Sequence, residues 1–201
     1  MTTAASPVSV TAAVPGESSR LWALLFVLFG LKSFALIIHY IIAFFWAIAV
    51  FVVFFISQLV VLFTARYPDG MHAFVARFVG WNNEINGWFY GLTDRFPPFV
   101  PSDEAYPVTT AIPRPDTSSR GWAALTIFLL KFLALVPHFI VLYVLSLAQI
   151  ILVFVANVII LFTGSFPDSL FDFVVGVLRW QTRVTAFAFG LDDQYPPFTL
   201  S

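Results

Sequence analysis

Two long apolar stretches that carry almost no charge set the strongest limit on how this chain can fold. They run from Leu21 to Thr64 and from Gly121 to Thr163. Each is about twice the ~20 residues that one helix needs to cross a bilayer. With 60% hydrophobic residues and 25 Phe, the chain has more apolar surface than a small soluble core can hide. We therefore expect an integral membrane protein. The strongly polar interruptions are Lys32, His39, Lys131 and His138.

The chain repeats itself at an offset of 99 residues. The segment from Lys32 to Phe99 aligns without a gap to the segment from Lys131 to Phe198, and 21 of these 68 pairs are identical. A repeat of this length predicts two copies of one structural unit. We divide the chain into a disordered tail that remains in the mature protein, a first unit, a proline-rich linker and a second unit, with bounds 1–19, 20–99, 100–119 and 120–201.

Each apolar stretch is predicted to form a transmembrane helical hairpin, with its turn near His39 or His138. The two units then give about four membrane-spanning segments. All eight arginines and eleven carboxylates fall on one side, which the positive-inside rule makes cytoplasmic. Lys32 and Lys131 are expected to extend toward the outer interface. The alternative is one crossing per unit, which would invert the two copies relative to each other.

An amphipathic helix is predicted after each hairpin. Apolar residues recur at helical spacing from Met71 to Leu92 and from Leu170 to Leu191, with polar residues on the opposite side. We expect these helices to lie on the cytoplasmic surface or to fold back over the hairpins. The predicted fold class is therefore an all-α integral membrane protein in the plasma (inner) membrane, with both termini in the cytoplasm.

The second unit resembles the small bacterial membrane proteins of the family named domain of unknown function 4389. The residues that carry the resemblance are Pro137-His138, Leu161 to Gly164, Phe166-Pro167, Arg179-Trp180, Arg183-Val184 and Asp193 to Phe198. The first unit departs from this pattern, with Ile38 for the proline, Gly80 for Arg179 and Glu84 for Arg183. The resemblance implies a membrane fold and no particular activity.

Two groups of residues are candidate sites. Basic and aromatic residues of the surface helices could contact lipid head groups or a partner, although a solvated face or pairing with Asp172 and Asp193 explains them as well. Polar residues within the apolar stretches could form an intramembrane site, although an interface position or helix-to-helix bonding explains them as well. The first group is Arg179, Arg183, Trp180 and Trp81. The second group is Lys32, His39, Lys131, His138, Gln58 and Asn157.

The sequence offers no candidate for catalysis. It has no cysteine and three histidines, and it lacks the nucleophile, phosphate-loop and zinc-helix motifs. We expect no metal, no cofactor and no enzymatic activity. The net charge of -1 argues against nucleic acid as a partner. The favoured function is an accessory or scaffold subunit that docks another membrane protein or assembles with itself. The alternative is a small carrier or channel with its path between the units, near Gln58 and Asn157.

Overall fold

The protein is built from the same order of elements twice. The computed structural model describes residues 6–28, 30–101 and 104–201. Each half has a short strand, a short helix, a long helix and a final helix of 21 or 22 residues. The first half contains β1 (Ser9–Ala12), α1 (Arg20–Val27), a 3-10 helix (Leu31–Leu36), α2 (Ile37–Thr64) and α3 (Asp69–Tyr90). The second half contains β2 (Val108–Ala111), α4 (Arg120–Ile127), α5 (Lys131–Thr163) and α6 (Asp168–Ala188).

The bounds of the helices follow from local chemistry. The Ser19 and Ser119 side chains accept hydrogen bonds from backbone N–H groups in the first turns of α1 and α4, as serine does at helix starts. The residues that follow α2 and α5, Ala65 and Gly164, adopt left-handed conformations with φ of 56° and 76°. Such a residue ends a helix by turning its backbone away from the helical path.

Two backbone hydrogen bonds join the halves at the ends of the long helices. The Ala65 carbonyl at the end of α2 accepts a hydrogen bond from Ser118 N, just before α4. The Gly164 carbonyl at the end of α5 accepts one from Ser18 N, just before α1. The end of each long helix therefore lies beside the start of the other half. The short helices are exchanged in the same way, since α1 packs against α5 and α4 packs against α2.

The helices α3 and α6 cover one side of the long helices, and the paired strands cover α3 and α6. After a short turn α3 packs back along α2, and α6 does the same along α5. The strands β1 and β2 pair antiparallel, with Val10 opposite Thr110. Asn83 donates hydrogen bonds of 2.9 Å to Thr110 and Thr182, which joins the two halves near an approximate two-fold axis. Side chains from both halves share the core.

The predicted hairpin turns are wrong in position. His39 and His138 lie inside α2 and α5, and Pro137 is also within α5. The chain turns earlier, at Gly30 in the first half and Leu129 in the second, which have φ of 68° and 61°. The helices before these turns have 8 residues each, about 12 Å at 1.5 Å per residue. They are too short to cross a bilayer, so the described residues contain two long apolar helices rather than four.

The segments expected to be a tail and a linker contribute the sheet. Residues 9–12 form β1, and Val10 is fully buried, so the prediction of disorder over 1–19 is wrong for this strand. Residues 108–111 form β2 within the predicted linker. Residues 1–5 of the predicted tail lie outside the described part of the chain. Both strands are only four residues long, which left too little alternation to reveal them.

Candidate functional site

Large apolar side chains are exposed along the four helices α1, α2, α4 and α5, which we call the apolar layer. On α2 the exposure runs from Ile37 to Phe63, and on α5 it runs from Leu133 to Phe162. Phe63 and Phe162 are 76% and 81% exposed. By contrast, no large apolar side chain of α3 or α6 is exposed in the described structure. Most of the exposed large apolar side chains therefore belong to the apolar layer. The others lie outside these helices and include Val14, Phe99, Val100, Tyr195 and Phe198.

The two long helices are candidate membrane helices by length and composition. The segments Leu31–Thr64 and Lys131–Thr163 are long and apolar enough to cross a bilayer. Only 28% and 22% of their most apolar windows is buried inside the protein. Apolar surface exposed on this scale is unfavourable in water, so the long helices indicate a membrane protein.

The two lysines of the apolar stretches are buried, so the prediction that they reach the outer interface is wrong. Lys32 and Lys131 are each 1% exposed. The Lys32 ammonium donates a hydrogen bond to the Trp88 carbonyl oxygen and lies 4.4 Å from the centre of the Trp88 ring. The Lys131 ammonium lies 4.1 Å from the centre of the Phe187 ring. Each ammonium is therefore held by the final helix of its own half.

The two histidines are buried against the Pro-Pro-Phe segments that close each half. The His39 ring stacks on Phe99 with 4.8 Å between ring centres, and the His138 ring stacks on Phe198 at 3.9 Å. The Nδ1 atom of His138 accepts a hydrogen bond of 3.1 Å from the Trp180 indole N–H. These contacts attach the closing segments to the long helices, and they explain why each unit contains one such histidine together with one closing segment.

The residues predicted to contact lipid or a partner are bound by the chain itself. Trp81 and Trp180 are 1% and 4% exposed. The Arg183 guanidinium donates a hydrogen bond of 2.7 Å to the Thr199 carbonyl, and burial lowers its pKa. Arg179 donates to the carbonyl of Leu200 and to the carbonyl of a strand residue in β1. Arg179 and Arg183 therefore lie close together on α6, and both bind the final segment of the chain.

Gln58 and Asn157 lie where the two halves contact each other, and both side chains are buried there. They are 2% and 1% exposed. The Gln58 amide nitrogen is 3.4 Å from the Phe189 carbonyl oxygen, at the end of α6. Asn157 lies beside Gly91 at the end of α3, where an added Cβ would sit 3.8 Å from the Asn157 side-chain oxygen. The structure thus packs the Gln58 amide against the turn after α6 and the Asn157 amide against the turn after α3.

Asp94 and Asp193, which lie near the ends of the two units, fix the starts of the short helices. An Asp94 carboxylate oxygen accepts a hydrogen bond of 2.6 Å from Ser19 N, and an Asp193 oxygen accepts one of 2.6 Å from Ser119 N. Burial raises the pKa of Asp193, and the Ser119 hydrogen bond and the Lys131 ammonium partly oppose that rise. The two aspartates therefore have a structural role, with backbone N–H groups as their partners.

An open cavity in the first half was not recognised from the sequence. Its volume is about 400 Å³. The Glu84 side chain lines it, and its Oε2 atom is buried without a hydrogen-bond partner in the described structure. Burial raises the pKa of Glu84 to about 7, and Arg95 opposes part of that rise. The only sequence signal was the exchange of Glu84 for Arg183 between the units. The lining includes His72, Arg77, Gly80, Trp81, Glu84 and Thr110.

Residues 126–199 match the family described as Domain of unknown function (DUF4389). The match confirms the resemblance that the second unit shows from Pro137-His138 to the Asp193–Phe198 ending. No curated protein and no solved structure matches the chain. The expectations of no cofactor, no metal and no catalysis stay predictions.

Proposed function

Residues 126–199 match the DUF4389 family, which is defined without a function. We propose that the protein is a membrane-embedded accessory protein without a catalytic role. The apolar layer lies in lipid. The opposite side, formed by α3, α6 and the two strands, docks a partner protein. The observation that carries this proposal is that the apolar layer has most of the exposed large apolar residues, whereas α3 and α6 have none in the described structure. Contact of that layer with lipid leaves α3 and α6 free for recognition in water.

The length of the apolar surface favours helices that lie along one leaflet. Exposed apolar residues run from Leu31 to Phe63, which corresponds to about 48 Å at 1.5 Å per residue. The hydrocarbon core is about 30 Å thick. A crossing helix would therefore need a tilt of about 50° to keep both ends in lipid, beyond the usual range of about 0–40°. A helix that lies in the plane of the interface has no such limit.

The packing of α3 and α6 favours the same orientation. Both helices pack back along the long helices, so they would have to cross the bilayer if the long helices did. Arg77 on α3 and Asp172 on α6 are exposed. An arginine or aspartate at the bilayer centre costs about 2.5–3.5 kcal/mol even by the lower estimates. A flat orientation keeps both side chains in water, so we propose it in place of the four crossings expected from the sequence.

The polar side of the molecule supports docking better than transport. A cavity of about 380 Å³ crosses the junction of α3 and α6 on this side. Its polar lining offers amide and hydroxyl groups that a partner surface can bind. A carrier path is less well supported, because Gln58 and Asn157 are almost fully buried in packed turns. The polar residues that line the cavity are Asn82, Asn83, Asn86, Gln181, Thr182 and Thr185.

Site-specific photo-crosslinking in cells tests the two sides separately. A photoreactive amino acid at Asn86 or Gln181 should yield a discrete adduct with a protein or with a second copy of this chain. The same amino acid at Phe45 or Tyr143, which are 66% and 67% exposed in the apolar layer, should yield lipid adducts. Protein adducts from the apolar layer alone would refute the assignment of the two sides. A polar side that forms no protein adduct would refute docking.

A further inference from the structure

A polar cavity lies where the start of α1 meets the end of α5, two helices of the apolar layer. Its volume is about 410 Å³. Large apolar side chains flank it, since Leu21 directly after its arginine and Phe162 directly before its threonine are 61% and 81% exposed. The chain is described without a gap on both sides of every lining residue. The residues that line the cavity are Glu17, Ser18, Arg20, Thr163 and Gly164.

Two hydrogen bonds of the backbone fix the segment before α1 against the end of α5. Ser18 N donates a hydrogen bond of 2.8 Å to the Gly164 carbonyl, and Ser19 N donates one of 2.6 Å to the Asp94 carboxylate. The Arg20 guanidinium lies over Gly164, where an added Cβ would be 3.4 Å from the nearest guanidinium nitrogen. The fold therefore sets where this guanidinium stands relative to the cavity.

The charged side chains of the cavity are unpaired. Glu17 and Arg20 are both exposed. Neither makes an ion pair or a side-chain hydrogen bond within the part of the chain that the structure describes. The Ser18 hydroxyl is buried and also has no partner there. One cation and one anion that line the same space are complementary to a ligand that carries both charges.

The matching end of α2 does not offer this pair of charges. At the offset of 100 residues that aligns the starts of α1 and α4, Thr117 takes the place of Glu17. Arg120, the counterpart of Arg20, donates a hydrogen bond of 3.1 Å to the Phe63 carbonyl. The guanidinium at the end of α2 is therefore bound by the chain itself, and the corresponding carboxylate is missing.

We propose that the cavity at the end of α5 binds the head group of a phospholipid with a primary ammonium, such as phosphatidylethanolamine. Arg20 donates hydrogen bonds to the phosphate, and Glu17 accepts one from the ammonium. The exposed Leu21 and Phe162 favour a lipid over a soluble phosphate ester, because acyl chains cover them. The inference rests on contact of the apolar layer with lipid, and it names the class of lipid.

Native mass spectrometry of the full chain in detergent micelles tests this proposal. The probes are phosphatidylethanolamine, phosphatidylcholine and phosphatidylglycerol with identical acyl chains, and soluble O-phosphoethanolamine. The wild type should prefer phosphatidylethanolamine about fivefold, the upper end for an exposed ion pair, because choline has no N–H donor and glycerol has no positive charge. Arg20→Gln should weaken binding of phosphatidylethanolamine to a similar extent. Glu17→Gln should remove its preference over phosphatidylglycerol.

Two matched controls remove exposed charges near the end of α2 instead. Arg66→Gln and Asp116→Asn act at exposed residues outside the cavity and should leave the preference for phosphatidylethanolamine unchanged. Loss of the preference in these controls would show that it follows net charge, which would overturn the proposal. Circular dichroism of every variant verifies that the fold is retained.

The remaining outcomes separate the source of the ligand from the membrane proposal. Equal affinity for the three lipids, or a preference that persists in Glu17→Gln, would overturn the head-group site. Displacement of phosphatidylethanolamine by an equal concentration of O-phosphoethanolamine would assign the cavity to a soluble ligand and overturn the lipid as its occupant. Flotation with phosphatidylcholine vesicles is measured in parallel. Flotation without a head-group preference would overturn this inference alone, whereas a wild type that does not float would overturn the membrane proposal as well.

Discussion

The depth of α2 in a bilayer can be measured at three sites that share one face of the helix. The chain has no cysteine, so single-cysteine variants at Ile41, Val52 and Phe63 carry a nitroxide without background. These residues are all exposed and are spaced by 11 residues, or about 16.5 Å. If α2 lies along one leaflet, the three depths should agree within a few Å and fall about 5–10 Å below the interface.

A crossing helix gives a different profile. At the tilt of about 50° that its length requires, each step of 11 residues changes the depth along the bilayer normal by about 11 Å. With Leu31 and Phe63 at the two interfaces, Ile41 and Val52 would each lie about 5–6 Å from the bilayer centre, about 10 Å deeper than Phe63. Power saturation with oxygen and a nickel chelate measures these depths, and a label at exposed Asp172 on α6 reports the aqueous side. Depths about 10 Å greater at Ile41 and Val52 than at Phe63 would refute the one-leaflet orientation.

Three further predictions concern stability. Phe187→Ala should lower the free energy of unfolding by about 3–5 kcal/mol because the ring is fully buried. Phe128→Ala, at an exposed position, should change it by less than about 0.5 kcal/mol. Chemical unfolding in detergent distinguishes the two variants, and equal effects would contradict the core assignment. The folded pKa of Glu84, about 7, lies above the ordinary 4.5, so stability should fall as pH rises between these values. Thermal unfolding from pH 4 to pH 8 should show this slope in the wild type and less of it in Glu84→Gln, and an identical slope in both would exclude Glu84 as its source. Gly190→Ala should destabilise by more than about 1 kcal/mol, because φ is +69° and the added Cβ would come within 2.6 Å of a neighbouring side chain. Gly70→Ala, with open space around it, should be neutral or gain about 0.5–1 kcal/mol, and equal losses at both glycines would refute the steric argument.

The sequence predicts the helical character and the apolar helices well, because composition and periodicity are local properties. It fails for the turns, since apolar residues continue through Gly30 and Leu129 without a break in composition. The burial of Lys32 depends on the hydrogen bond to the Trp88 carbonyl, 56 residues away. A single sequence does not show that contact. The same limit applies to Arg183, which is polar by type yet 5% exposed because the final segment covers it.

The histidines illustrate why a candidate site and a structural contact are hard to tell apart in advance. A histidine and a Pro-Pro-Phe ending occur at matching positions in both units, and this pattern fits a functional site and a packing contact equally well. The stacking of His39 on Phe99 within one half assigns them to packing. Glu84 shows the opposite case, because it breaks the pattern between the units. At this position the two units differ in the sign of the charge, and Glu84 lines the cavity of the first half.

The exchanged short helices make each half incomplete without the other. Because α1 rests on α5 and α4 rests on α2, a chain with a single copy of this unit would have to form a two-fold dimer whose subunits trade these helices. Duplication within one chain removes the need for two molecules to meet, since the complementary helix is always present at a high effective concentration. We therefore expect folding of this protein to be independent of its concentration.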